Sequence, residues 1–146
     1  MKSRLLHEHD GLRTFILVLD IGDETMATLT TFATRHSLKA THFTAIGAFS
    51  HVVVAYFDWK TREYRRVPID EQVEVLSLVG DISVKEGEPK VHAHVVIGKS
   101  DATAHGGHLM EGYARPTLEV VLTELPHHLE RRHDPASGLN LIDPSH

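Results

Sequence analysis

The sequence predicts an α+β domain, a mostly antiparallel β-sheet carrying one flanking α-helix. Three observations predict it. Many short runs rich in β-branched and aromatic residues are separated by turn signals. Only one stretch, residues 24–35, repeats its apolar side chains at helical spacing. That stretch lies between the first and second strand-like runs, and many strands joined by short turns around one helix make a sheet with a helix on it.

The elements follow in order. Residues 12–20, Leu-Arg-Thr-Phe-Ile-Leu-Val-Leu-Asp, read as a strand ending at Gly22. Asp23 stands where a helix N-cap belongs. In the helix, Met26, Leu29, Thr30 and Ala33 form the apolar stripe, with Phe32 at its edge. Residues 40–59 read as two strands broken near Gly47 to Ser50, followed by a turn at 59–62 and a short returning strand at 64–67. Residues 72–84 are strand, interrupted at Gly80-Asp81, and Gly87-Glu88-Pro89 is a turn. Residues 91–97 are strand, 98–107 a loop, and 117–125 the last strong strand. Beyond Pro126 polar and histidine-rich sequence predicts a tail that packs late or stays mobile. The expected organisation is a polar segment at 1–11, one domain at 12–132 and a tail at 133–146.

The bulk numbers narrow the class. A chain of 146 residues fits one domain. A chain of this size buries roughly 68–70% of the surface its unfolded form exposes, so it needs no covalent staple. There is no cysteine, which excludes disulfides and thiolate metal sites and leaves imidazole and carboxylate as ligands. The formal charge of −5 argues against a basic nucleic-acid footprint. Residues 1–10 lack the apolar core of a signal peptide, and the longest apolar runs fall far short of the roughly 20 residues that span a bilayer. A soluble, cytoplasmic protein is the expectation, with no membrane partner.

The unusual feature is 13 histidines. His92-Ala93-His94 lies in a strand, so both rings point to one side with alpha carbons ~6.6 Å apart. Gly106-Gly107-His108 follows, and a turn at the two glycines would fold His108 back beside the pair. Three histidines with one open position match a catalytic type of zinc site rather than a closed structural one. His92, His94 and His108 are therefore the candidate metal ligands, with Zn²⁺ the expected ion and Glu111, Asp81 or Glu119 the carboxylates within reach. The plainer alternative is that these histidines are exposed, or are satisfied core residues.

Other candidates are weaker. His105 reads as exposed, and His7, His9, His127, His128, His133 and His146 as solvated. His36 ends the helix, where a partly cationic ring complements the dipole. His42 and His51 read as structural. Glu74 and Glu119 sit among apolar strand residues, either on the solvent face or in a buried pair with Arg13 or Arg115. Lys60, Arg62, Tyr64, Arg65 and Arg66 form a small basic patch, a solvated hairpin or a phosphate contact. No nucleophile elbow and no phosphate loop is present.

The residues taken together resemble the PPC (plants and prokaryotes conserved) domain. The resemblance rests on residues 74–83, Gly87-Glu88-Pro89, His92-Ala93-His94, Gly106-Gly107-His108-Leu109 and Thr117-Leu118-Glu119-Val120, and extends over 10–132, with Arg13 and Ala45-Ile46-Gly47-Ala48. It implies a homotrimer, with His92, His94 and His108 as candidate ligands near a subunit boundary. Strand edges at 52–54 or 120–121 are the apolar surface a trimer would cover. It also implies DNA as a partner by association, since plant members follow AT-hooks. This chain has no Arg-Gly-Arg hook core, so the DNA association is not supported by its charge or motifs. No reaction follows from the resemblance.

Overall fold

Strand formation begins earlier than the hydrophobic pattern suggests. A computed structural model describes residues 1–145. In it the polar N-terminus is strand β1 (Lys2–His9), paired antiparallel with β2 (Leu12–Leu19). Asp10 and Gly11, both at positive φ, close the two-residue hairpin turn between them. Every β1 side chain is exposed, so no alternation marks it in the sequence.

The helix α1 (Thr25–His36) is capped by Glu24, not Asp23. Glu24 accepts from the backbone N–H of Met26 and Ala27, and also from Gly112 N–H at 3.1 Å, which ties the helix start to the sheet. Asp23 is engaged by Asp20 N–H and the N-terminal ammonium instead. Leu29, Phe32 and Ala33 are buried, so the stripe is centred nearer Phe32 than the sequence suggests. Thr30 is exposed and donates to Met26 C=O at 2.8 Å.

The remaining elements are β3 (Thr41–Asp58), β4 (Glu63–Ile69), β5 (Val73–Lys85), β6 (Glu88–Gly98), β7 (Ala104–Glu124), β8 (Glu130–His133) and β9 (Asn140–Asp143). All pairings are antiparallel except a single parallel contact between β5 and β8. The breaks expected at Gly47–Ser50 and Gly80-Asp81 are not chain breaks. β3 passes Gly47 through bulges, and β5 runs straight through Gly80. A side chain at Gly47 would strike the Thr117 carbonyl, and one at Gly80 the Phe43 ring, so these glycines mark close approach.

Four strands close on one another. β3 pairs β5, β5 pairs β6, β6 pairs β7, and β7 pairs β3 again. The closure works because β3 and β7 are long and each serves three partners, β4, β5 and β7 for β3, and β2, β3 and β6 for β7. Residues 108–114 of β7 pair with 49–55 of β3, and residues 118–124 pair with 41–47. Buried Phe43, Phe49, Leu78, Ile97, Leu118 and Leu122 fill the core with the helix's apolar face. Each large side chain so buried contributes about 1.5–3 kcal/mol of transfer free energy.

The expected exposed edges at 52–54 and 120–121 do not exist, because β3 and β7 are paired on both sides. Val52, Val54 and Val120 are buried. Exposed apolar surface lies instead on the open face of the sheet. One transverse row of paired residues runs Ile16, Val121, Thr44, Val79, His94, His108. Ile46, Leu76 and Val96 are exposed on the same strands.

The buried carboxylate of the fold is neither Glu74 nor Glu119, which are both exposed. It is Glu124, at 5% exposure. It accepts from Lys39 N–H at 2.9 Å, Ala40 N–H at 3.3 Å and the Thr41 hydroxyl, with Arg13 at 3.9 Å. Arg13 also donates to His36 C=O, so this cluster pins the helix end to the start of β3. His36 packs its ring on Phe15 and Phe32. Burial, then the neighbouring Arg13 and Arg35, hold it below the usual imidazole range, which opposes the cationic dipole role.

The tail folds as a β8–β9 hairpin turned at Asp134 to Leu139. Val84 N–H donates to Leu129 C=O at 2.7 Å, and Leu129 N–H to Lys39 C=O at 3.1 Å. His146 lies outside the described residues.

Candidate metal centre

β6 presents His92 and His94 on one side because Ala93 between them faces the core. His108 joins them, though not by a glycine turn. The loop is only 99–103, and Gly106-Gly107 lie inside β7. His108 is the direct cross-strand partner of His94, and register alone brings the two together. The glycines permit close packing of three strands. An added Cβ would sit 2.8 Å from Val95 C=O at Gly106, and 2.7 Å from Ala55 C=O at Gly107.

The three rings form a near-equilateral cluster, with centroids 5.1 Å apart for His92–His94, 5.0 Å for His92–His108 and 5.4 Å for His94–His108. One nitrogen from each lies within 4.8 Å of the others. Tyr64, reaching over from β4, packs its ring 4.8 Å from His108.

The electrostatics favour neutral imidazole, the form that binds metal. Burial, then His92 and His94, push His108 down to about 4. Burial, then His92, lower His94. The Nδ1 atom of His108 is buried without a hydrogen-bond partner. Such an orphan costs about 1–3 kcal/mol.

Of the expected carboxylates, only Asp81 reaches the cluster. Its Oδ2 lies 3.3 Å from His92 Nδ1. Burial raises the Asp81 carboxyl, but hydrogen bonds from His92 and Arg131 outweigh this and hold it below the usual range. An ionised Asp81 can only accept, so His92 Nδ1–H donates to it and Nε2 keeps its lone pair. Glu111 is held by Arg66. Glu119 lies in the half of β7 that pairs with Val18 and Ile46. Arg131 was not visible in the sequence as a site residue. It lies 50 residues from Asp81, on a strand of four residues.

The remaining histidines stay apart. His7, His9, His42, His105, His127, His128 and His133 are exposed, and His51 stacks on Tyr113 at 4.3 Å. A cleft of about 830 Å³ opens beside His92 and His108, walled by α1 residues such as Met26 and Thr30 and by Leu139 and Leu141 of the tail. Among the described residues, no helix is long and apolar enough to cross a membrane.

A closed antiparallel sheet with one helix and a trihistidine cluster on paired strands defines the class. The chain matches the Plants and Prokaryotes Conserved (PCC) domain over residues 6–126 and belongs to that family. Among solved structures it resembles a metal-containing protein from Archaeoglobus fulgidus, at 35% identity and TM-score 0.83, covering 88% of this chain and 91% of that one. A plant- and prokaryote-conserved protein from Pyrococcus horikoshii is 29% identical, with TM-score 0.84 and coverage of 97% and 94%. A protein from Bacteroides thetaiotaomicron described as a candidate for DNA binding is 25% identical, with TM-score 0.89 and coverage of 97% and 96%. No curated protein matches the chain.

Proposed function

We propose that this chain is a homotrimeric metal-binding protein holding one divalent ion, zinc, through His92, His94 and His108. The observation that carries this reading is the meeting of three imidazoles with one nitrogen of each within 4.8 Å of the others, and the buried Nδ1 of His108 that has no hydrogen-bond partner adds to it. Histidines with a purely structural role would have their buried nitrogens satisfied by protein donors or acceptors. Imidazole without thiolate suits zinc and its first-row neighbours. With three protein ligands, the ion supplies a Lewis-acidic position for one exogenous ligand. Asp81 is committed to His92 and Arg131, and Glu111 to Arg66, so neither stands ready as a general base.

Trimer formation is supported by the open face. Ile46 is 62% exposed, Leu76 54% and Val79 50%. An apolar surface of that kind fits association between copies. Exposed His94 lies in the same transverse row as Val79 and Val121, which supports a site beside such a boundary. DNA association rests on the description of relatives such as the Bacteroides protein, and the −5 charge opposes it here.

Untagged protein, loaded with zinc and desalted, should carry one zinc per chain by elemental analysis. Metal-free wild type after that treatment sinks the reading. Sedimentation should give about three times the 16.3 kDa chain mass, and a monomer at micromolar concentration removes the trimer.

A further inference from the structure

The C-terminal hairpin lies beyond the matched family domain, which ends at residue 126, yet it reaches the histidine cluster. Arg131 on β8 is the link. Its side chain is only 9% exposed. Nε donates to Ser83 Oγ at 2.7 Å, Nη2 to Asp81 Oδ1 at 2.7 Å, and Nη1 to Asn140 C=O at 3.0 Å. Ser83 Oγ also donates to Asp81 Oδ1, at 3.2 Å. The two oxygens of Asp81 thus have separate tasks. Oδ1 is fixed by Arg131 and Ser83, which leaves Oδ2 aimed at His92 Nδ1.

We infer that the hairpin is a working part of the metal centre: Arg131 is a positioning residue that locks Asp81, and through it the His92 ring, so that hairpin docking and metal binding reinforce each other. This rests on the metal reading above. The physical case has two parts. A carboxylate that orients a ligating histidine typically governs affinity 10–100-fold, because it fixes ring orientation and raises basicity. Asp81 also screens the site from the guanidinium, whose Nη2 lies 3.4 Å from His92 Nδ1 and would otherwise repel an incoming cation. The fork geometry matters as well as the charge, since one planar group serves Ser83 and Asp81 together.

Coupling is reciprocal, so whatever factor the docked hairpin adds to metal affinity, metal adds to hairpin docking. The hairpin is lightly attached otherwise. Its backbone contacts with the rest of the fold include the single parallel pairing Val84 with Glu130 and the bonds at Leu129. Its opening equilibrium is therefore a sensitive reporter.

The experiment has two arms. The first measures zinc affinity by competition with a chromophoric chelator, and the ligand-field spectrum of the cobalt-substituted protein. Arg131→Met should weaken zinc binding about tenfold and alter the cobalt spectrum. Arg131→Lys should not restore either, because it returns the charge without the fork. Ser83→Ala, a milder change in case Arg131→Met disturbs folding, should weaken binding a few-fold. Arg132→Met should leave affinity unchanged, because Arg132 pairs within the hairpin with Glu130 and Asp143. The second arm needs no variant. Zinc should slow amide exchange in residues 129–133 and 140–143 of wild type by about the factor that Arg131→Met costs in affinity. If wild type binds zinc and both Arg131→Met and Ser83→Ala bind it as tightly, or if zinc leaves hairpin exchange unchanged, this inference is overturned while the metal reading stands. If wild type binds no zinc, the metal reading itself has failed.

Discussion

β7 carries two polar clusters 16 residues apart, and they have been built to opposite rules. At its C-terminal end Glu124 is buried and bonded on both oxygens by Lys39, Ala40 and Thr41, with Arg13 alongside. Near its N-terminal end His108 is half-buried, with its Nδ1 atom buried and unbonded, beside two more imidazoles. A satisfied buried charge stabilises the arrangement that encloses it, and removing one partner strands the rest. An unsatisfied buried nitrogen lowers stability and persists where something outside the chain completes it. Both look alike as polar letters in an apolar strand. The difference separates architecture from site.

The comparison breaks most visibly at His94. His94→Ala should take zinc content from one per chain to essentially none, whereas His128→Ala, at an exposed position, should leave it at one. Elemental analysis after loading and desalting decides between them, and equal content in the two variants ends the metal side of the contrast.

Next in size is the architectural cluster. Glu124→Ala should lower stability by about 3 kcal/mol, the usual cost of stranding a buried pair, with zinc per folded chain unchanged. Denaturant unfolding of metal-free protein gives the first number. A variant as stable as wild type would show that Glu124 is not structural in the sense argued. His108→Leu should behave oppositely, losing zinc while the metal-free protein is at least as stable as wild type at pH 7, because replacing an orphaned polar group with an apolar one is nearly neutral or better.

The pH response sharpens the same point. His108 in the folded protein is held at about 4, below the ~6.5 of an unfolded histidine. Between those values the unfolded chain binds the additional proton, so unfolding free energy rises with pH across the window. This contribution is fully present above about 6.5 and is lost as pH falls towards about 4. Metal-free wild type should therefore lose stability on acidification through that range, and His108→Leu should show a shallower slope. Parallel slopes from denaturant midpoints at several pH values would contradict it.

The smallest effect concerns DNA. Neither cluster is a basic surface, and Arg66 of the hairpin patch is already paired with Glu111. Duplex DNA should bind weakly at physiological salt and without sequence preference. A salt-tolerant nanomolar complex in titrations at two ionic strengths would overturn this.

How much of this was legible follows from which signals are local. Strand alternation placed His92 and His94 on one side, and the single helical period found α1 within a residue or two. His108 is legible as a member of the cluster, but not through the turn its glycines suggest. Gly106-Gly107 looks like a turn, yet the cross-strand register with His94 brings the ring in. Gly47 and Gly80 misled in the same way, because close strand approach and chain breaks use the same residue. β1 was missed because all of its side chains are exposed. Alternation is enough to set Glu74 and Glu119 on the solvent face, whereas buried Glu124 is not legible because its partners lie 83–85 residues away. Arg131 is not legible for the same reason: it lies in the segment expected to pack late or stay mobile, and its partners Ser83 and Asp81 are 48 and 50 residues away.

One feature of the ligand set bears on how the protein folds. His92, His94 and His108 all belong to one hairpin, β6–β7, whose connecting loop is residues 99–103. Closing a loop that short is cheap in chain entropy, and lengthening it matters only logarithmically. The unfolded chain can therefore gather the same three imidazoles without the rest of the barrel. If zinc is held as proposed, it then has affinity for the unfolded ensemble as well as for the native state, and the stabilisation it confers on folding falls below the full RT ln(1 + [L]/Kd). On the proposed reading the ion acts early, favouring one local strand pairing, while the long-range closure of β3 on β7 is left to the hydrophobic core.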